Sequence, residues 1–95
     1  MSIENLINTE LKQANEKHDD SFNSRHEAFA VILEEYEETQ ELNEVFTSLL
    51  DSYWQCVKED RPDDARAVLA KMYDVVTSAI EKWVQVATMC VKAGV

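Results

Sequence analysis

Apolar residues recur along the chain at spacings of three and four, in three separate runs. That interval stacks them on one face of an α-helix, in which about 3.6 residues complete a turn. The first run, Ile3, Ile7, Leu11 and Ala14, predicts a short helix over about 2–18, with Ser2 in place to cap it. A polar connector, Asp19 to Asn23, follows. The second run opens on Ser24-Arg25-His26-Glu27, the capping-box pattern, in which serine and the glutamate three residues on satisfy each other's free backbone N–H groups. Nothing from there to Glu59 breaks a helix, and Phe29, Ile32, Leu33, Leu42, Val45, Phe46, Leu49, Leu50, Tyr53, Trp54 and Val57 supply its apolar positions. A helix over 24–59 is expected.

The third helix is expected over 62–93. Pro62 suits a first helical position, and Asp63 and Asp64 suit the positive end of the helix dipole. Val68, Leu69, Met72, Val76, Ala79, Trp83, Val86, Ala87 and Cys90 form its main apolar face. Tyr73, Thr77, Ile80, Val84, Thr88 and Val91 widen that face on one side. Trp54 and Trp83 read as core aromatics, His26 as a packed or capping residue, and Asp74 as solvated.

Helix length bears on assembly. An unbroken helix over 24–59 is roughly 50 Å long at ~1.5 Å per residue. A compact globule of this chain would be about 30 Å across. Either the second helix bends near 39–43, or the molecule is an elongated hairpin. A lone hairpin with one short helix leaves apolar surface uncovered, which pairing of two chains would cover. The expected fold is all-α: a single domain over 1–95, an elongated antiparallel helical hairpin plus a short N-terminal helix, its bundle completed by homo-oligomerisation, most simply as a dimer.

Composition agrees. One glycine and one proline in 95 residues are too few for the turns of a β-rich fold. A net charge of −10 argues against nucleic acid as a partner, because backbone binding needs clustered Lys and Arg. No basic amphipathic face points to a membrane surface, and charged residues interrupt the third helix before it could span one. Cys56 and Cys90 are isolated and read as ordinary thiols in a reducing compartment. With no basic and apolar leader at the N-terminus, a cytoplasmic location is expected.

The densest charge is the run Glu34-Glu35-Tyr36-Glu37-Glu38-Thr39-Gln40-Glu41. Helical phase divides it. Val31, Glu35, Glu38, Leu42, Val45 and Leu49 form one stripe, so Glu35 and Glu38 face inward while Glu37 and Glu41 face outward and Glu34 lies between. Two inward carboxylates are costly unless something compensates them. A hairpin turning near Arg61 pairs positions summing to about 122, which sets Glu38 level with Val84 and brings Glu81, Lys82, Gln85 and Thr88 within a turn. Two arrangements follow. Lys82 pairs with Glu38, or Glu81 joins the inward pair and three acids call for a cation. The balance tilts to the ion, since one lysine does not neutralise two or three carboxylates, and an all-oxygen cluster selects Mg²⁺ or Mn²⁺. Gln85 lies further out, and Lys92 is nearly two turns beyond.

The string Ile32-Leu33-Glu34-Glu35-Tyr36-Glu37-Glu38 has the EExxE form of the MazG-like all-α nucleoside triphosphate pyrophosphohydrolases. The wider stretch 26–35 and the stretch 81–92 resemble short MazG-like proteins encoded by phages and prophages. The resemblance covers roughly a quarter of the chain. It implies hydrolysis of a nucleoside triphosphate to the monophosphate and pyrophosphate, with Mg²⁺ held by carboxylates on two helices, Glu34, Glu35 and Glu38 from the first motif and Glu81 from the third helix, and with Gln85 and Lys92 as the substrate-binding residues. The family's second motif, ExxD, has no counterpart, for Val84 stands three residues after Glu81. A catalytically weakened relative is therefore also expected. The rival is a small acidic interaction or inhibitor protein of phage type, acting through the exposed carboxylates Glu34, Glu37, Glu41, Asp19-Asp20 and Asp63-Asp64.

Overall fold

The structure, a computed structural model, describes residues 2–17 and 21–95. It is all-α: α1 spans Ile3–Lys17, α2 Arg25–Lys58 and α3 Pro62–Ala93. The expected helices agree with these to within a residue or two, and His18, Asp19 and Asp20 lie outside the described residues. Ser2 caps α1 by accepting the Asn5 N–H at 3.1 Å. Ser24 caps α2 by accepting the Glu27 N–H at 3.1 Å. The reciprocal half of the capping box is displaced: Glu27 accepts from Asn23, backbone N–H at 3.3 Å and side-chain amide at 3.1 Å. Two donors on Asn23 outbid the single N–H of Ser24.

α2 does not bend into a globule. It runs unbroken beside α3, and the molecule measures 54 × 28 × 20 Å. The turn between them is three residues long. Asp60 adopts φ 53°, a left-handed conformation that Asp tolerates better than most residues. The Arg61 N–H then reaches back to the Cys56 carbonyl at 2.9 Å and the Asp60 N–H to that of Val57 at 3.2 Å, which satisfies the last carbonyls of α2. Arg61 bridges Glu59 at 3.0 Å and Asp64 at 2.8 Å across the turn.

Because the turn centres on Asp60, facing positions sum to about 120 and not 122. Lys82 meets Glu38, one of the two arrangements the sequence left open, and Trp83 meets Tyr36 edge-on with ring centroids 6.3 Å apart. Two residues of register are more than half a helical turn, so this small shift decides which side chain of α3 faces the carboxylates.

α3 carries two apolar rows at helical spacing. Stepping by three and four through Lys82 gives Val68, Met72, Val75, Ala79, Val86 and Met89, all partly covered, and this row meets α2. The second row is Leu69, Tyr73, Val76, Ile80 and Trp83, and every member is exposed. α1 docks on α3 over its C-terminal half and, among the described residues, makes no close backbone approach to α2. Of the second row it borders only Ile80, across a shallow groove, and the rest stays uncovered. The tryptophans are therefore not core aromatics: Trp54 is 57 % and Trp83 46 % exposed, because both lie on outer rows. His26 is exposed too, neither packed nor capping. Full burial is confined to small side chains at helix crossings, above all Thr39 and Thr88. No helix is long and apolar enough to cross a membrane among the described residues.

Candidate functional site

The inward carboxylates sit midway along the hairpin and are held by backbone that has no freedom there, since α2 is continuous on both sides. Lys82 projects from α3 between them. Its Nζ lies 2.6 Å from Glu38 Oε2 and 4.0 Å from Glu35 Oε2, and it donates to Gln85 Oε1 at 3.4 Å. Of the two arrangements open to the sequence, the hairpin forms the one in which Lys82 is the counter-charge. Its contact with Glu38 holds the ammonium above the ordinary lysine value of 10.5, outweighing a desolvation that pulls the other way.

One ammonium does not satisfy both acids. Glu35 Oε2 is shut off from solvent and accepts no hydrogen bond, and Glu38 Oε2 is likewise shut off and faces the lysine. Glu35 consequently titrates above its ordinary 4.5. Burial is the main cause, repulsion from Glu38 adds to it, and Lys82 offsets part of the rise. Two carboxylates and one ammonium leave the cluster one negative charge in excess.

The other expected site residues are distributed around this pair. Glu34 is exposed on the flank of α2, beside Glu35 and close enough to raise its pKa further. Glu81 is exposed and lines the groove between α3 and the first turns of α1, with Leu6, Glu10 and Gln13. Gln85 borders the same groove but turns its side-chain oxygen to Lys82. Lys92 lies on the Glu35 side. It shares with Glu35 a cleft of about 600 Å³, walled by Ala14 of α1, Glu27 and Val31 of α2, Met89 of α3 and Phe22 of the connector. The Lys92 ammonium stands 5.0 Å from the centre of the Phe22 ring.

Sequence reasoning had no signal for Phe22 or Glu27 as cleft residues, because the connector's path over the helix ends is not periodic. Lys82 was legible as a neighbour of the pair, and centring the inner row on Val75–Lys82–Met89 would have shown it facing inward. Among the described residues no three acidic, histidine or cysteine side chains converge on one point. The acids that do converge are Glu35 and Glu38, whose Oε2 atoms are shut off from solvent, that of Glu38 lying 2.6 Å from the Lys82 ammonium. Comparison with known protein families, characterised proteins and solved structures finds no match to the chain.

Proposed function

We propose that the chain is a MazG-like helical module that binds a nucleoside triphosphate through Mg²⁺ or Mn²⁺, either as a pyrophosphohydrolase or as a catalytically weakened relative. The observation that carries this reading is the under-compensated pair: Glu35 and Glu38 keep buried carboxylate oxygens that Lys82 alone does not balance, and Glu35 lines a cleft that also holds Lys92. A Mg²⁺ ion in nucleotide sites takes one or two protein carboxylates and fills its shell with water and phosphate oxygens. When bound, the ion supplies charge neutralisation at the phosphates. Glu35 and Glu38 hold it, with Glu34 on the exposed flank. Lys82 keeps the pair from repelling when no ion is present. Lys92 supplies the substrate contact from α3 within the cleft, whereas Gln85, which borders the groove beside α1, reaches the pair only through Lys82. The cleft's volume lies within the usual range for small-molecule sites.

Thermal melting with Mg²⁺ alone, with a non-hydrolysable nucleoside triphosphate alone and with both tests the reading. The two together raise the melting temperature of the wild type, by about 2.7 kcal/mol of stability at a hundredfold excess over Kd. Glu35→Gln with Glu38→Gln abolishes that rise. A wild type indifferent to every combination defeats the proposal, and a double variant that only melts higher shows the pair to be uncompensated burial. Release of pyrophosphate from the triphosphate then separates an active enzyme from a weakened one.

A second reading draws on the exposure of Glu34, Glu37, Glu41 and Glu44 along α2. An acidic decoy acting through them binds a basic protein in a salt-sensitive way. Neutralising Glu34, Glu37 and Glu41 abolishes that binding, and Glu35→Gln leaves it unchanged.

A further inference from the structure

Phe22, in the connector before α2, and Lys92, in the last turn of α3, line two hollows at once. The larger is the Glu35 cleft, about 600 Å³, and the smaller, about 250 Å³, is completed by Ser24, Arg25 and Ala28 at the start of α2. The Lys92 ammonium stands over the Phe22 ring at 5.0 Å, so the ring turns its π face toward this shared space. Along the larger cleft the surroundings change. Ala14, Val31 and Met89 make its walls apolar, with Glu35 toward one end and Phe22 and Lys92 toward the other. Lys92 lies beside Ala28, seven residues before Glu35, which is about 10 Å along α2 at ~1.5 Å per residue.

We propose that Phe22 is the platform on which an aromatic base stacks, and that the ligand of this cleft is a whole nucleotide, not a bare polyphosphate. The inference rests on the nucleotide reading above and adds a second recognition element to it, carried by the connector. Chemistry at the Phe22 end selects the occupant by elimination. An ammonium ligand would be repelled by Lys92. A free anion would bring its charge against Glu27 and Glu35 on the cleft wall. A purely aliphatic group would take water from the Lys92 ammonium and return no acceptor to it. A nucleobase meets each demand. It is uncharged, its flat face matches the Phe22 ring, and its edge carries carbonyl oxygens or ring nitrogens that accept from Lys92. Met89 adds a polarizable thioether to the same cleft. The separation of Glu35 from the aromatic end is comparable with the reach of a nucleotide from its phosphates to its base. On binding, the Lys92 ammonium passes from the ring face to the base edge, and the base takes its place on Phe22.

Calorimetric titration of the full chain with two probes tests this: Mg²⁺ with a non-hydrolysable nucleoside triphosphate, and Mg²⁺ with inorganic tripolyphosphate. The wild type binds the nucleotide at least about 10-fold tighter, the worth of one base stacked on an aromatic ring. Phe22→Leu keeps an apolar side chain in the cleft, removes that preference and leaves the tripolyphosphate affinity where it was. Phe22→Trp restores the preference. A wild type that binds both probes equally overturns the stacking role while the carboxylate site stands, and this comparison needs no variant to fold. A wild type that binds neither probe ends the nucleotide reading and this inference with it. Phe22→Leu that loses both probes in equal measure makes Phe22 a packing residue and overturns the stacking role. So does Phe22→Leu that keeps the full preference for the nucleotide.

Discussion

The two faces of the hairpin are built from the same two helices and differ in almost everything else. One is apolar along its central rows and exposed, with Tyr36 against Trp83 at its middle and Lys58 over Trp54 toward one end. The other carries α1, the acid pair and the cleft with Lys92. The apolar face gains free energy from being covered by anything that fits, because burial is non-directional. The acidic face gains it only from a matched charge, because desolvated carboxylates are unfavourable without one. The two faces can therefore be tested separately, by substitutions confined to one set of residues or the other.

The largest expected effect lies on the apolar face. Trp83→Ala removes the edge-on partner of Tyr36 and should weaken the expected pairing of two chains by about 2 kcal/mol, roughly 30-fold, with helicity retained; dilution sedimentation measures it. An unchanged dissociation constant would shift the interface elsewhere. Next comes Lys82→Met on the acidic face. It strips the one counter-charge from Glu35 and Glu38 and should cost about 1–2 kcal/mol at pH 7, a figure reduced from that of a fully buried pair because solvent screens these partly exposed groups. Urea melts at pH 7 and pH 4.5 check it, and the cost shrinks at the lower pH as the carboxylates protonate.

Glu35→Gln should act in the opposite sense and more weakly. A carboxyl whose folded pKa is raised burdens the folded state above that pKa and is relieved as pH falls through it toward the unfolded value, where both states are protonated. The substitution therefore stabilises by under about 1 kcal/mol at pH 7, and the gain fades toward pH 4.5. A gain independent of pH would mean that packing, and not charge, governs the site. Smallest of all, Glu37→Gln and Glu41→Gln, both fully outside the pair, should alter stability by no more than about 0.5 kcal/mol. A larger change would tie the outer carboxylates to the fold and sharpen the case that this face is more than a solvated flank.

Much of this was legible in the residue order. Spacing of three and four, Ser24 and Pro62 delimit α2 and α3 because helix periodicity and capping are local properties. The same periodicity turns Glu35 and Glu38 inward and leaves Glu37 and Glu41 outside, as the hairpin does. The length of α2 already required either a bend or an elongated molecule, and its unbroken run, rich in helix formers, favours the latter. Trp54 and Trp83 were misplaced for a definite reason. A row of large apolar residues at helical spacing identifies a face that wants covering, but not whether this chain or another covers it.

What the sequence determined by itself, then, is everything set within one helix: where each begins and ends, and which residues share a face. What only the tertiary structure decided is everything set between helices. Asp60 as the centre of the turn shifted the register by about two residues and decided between the two arrangements, pairing Lys82 with Glu38. The docking of α1 on α3 placed Glu81 in a groove apart from the acid pair and left the Tyr36–Trp83 face open. The physical reason is that helical phase advances about 100° per residue, so a shift of one or two residues at a turn reassigns every facing pair along about 50 Å of hairpin. Local preference constrains the turn only to within such a shift. The summed packing of two long helices selects the register.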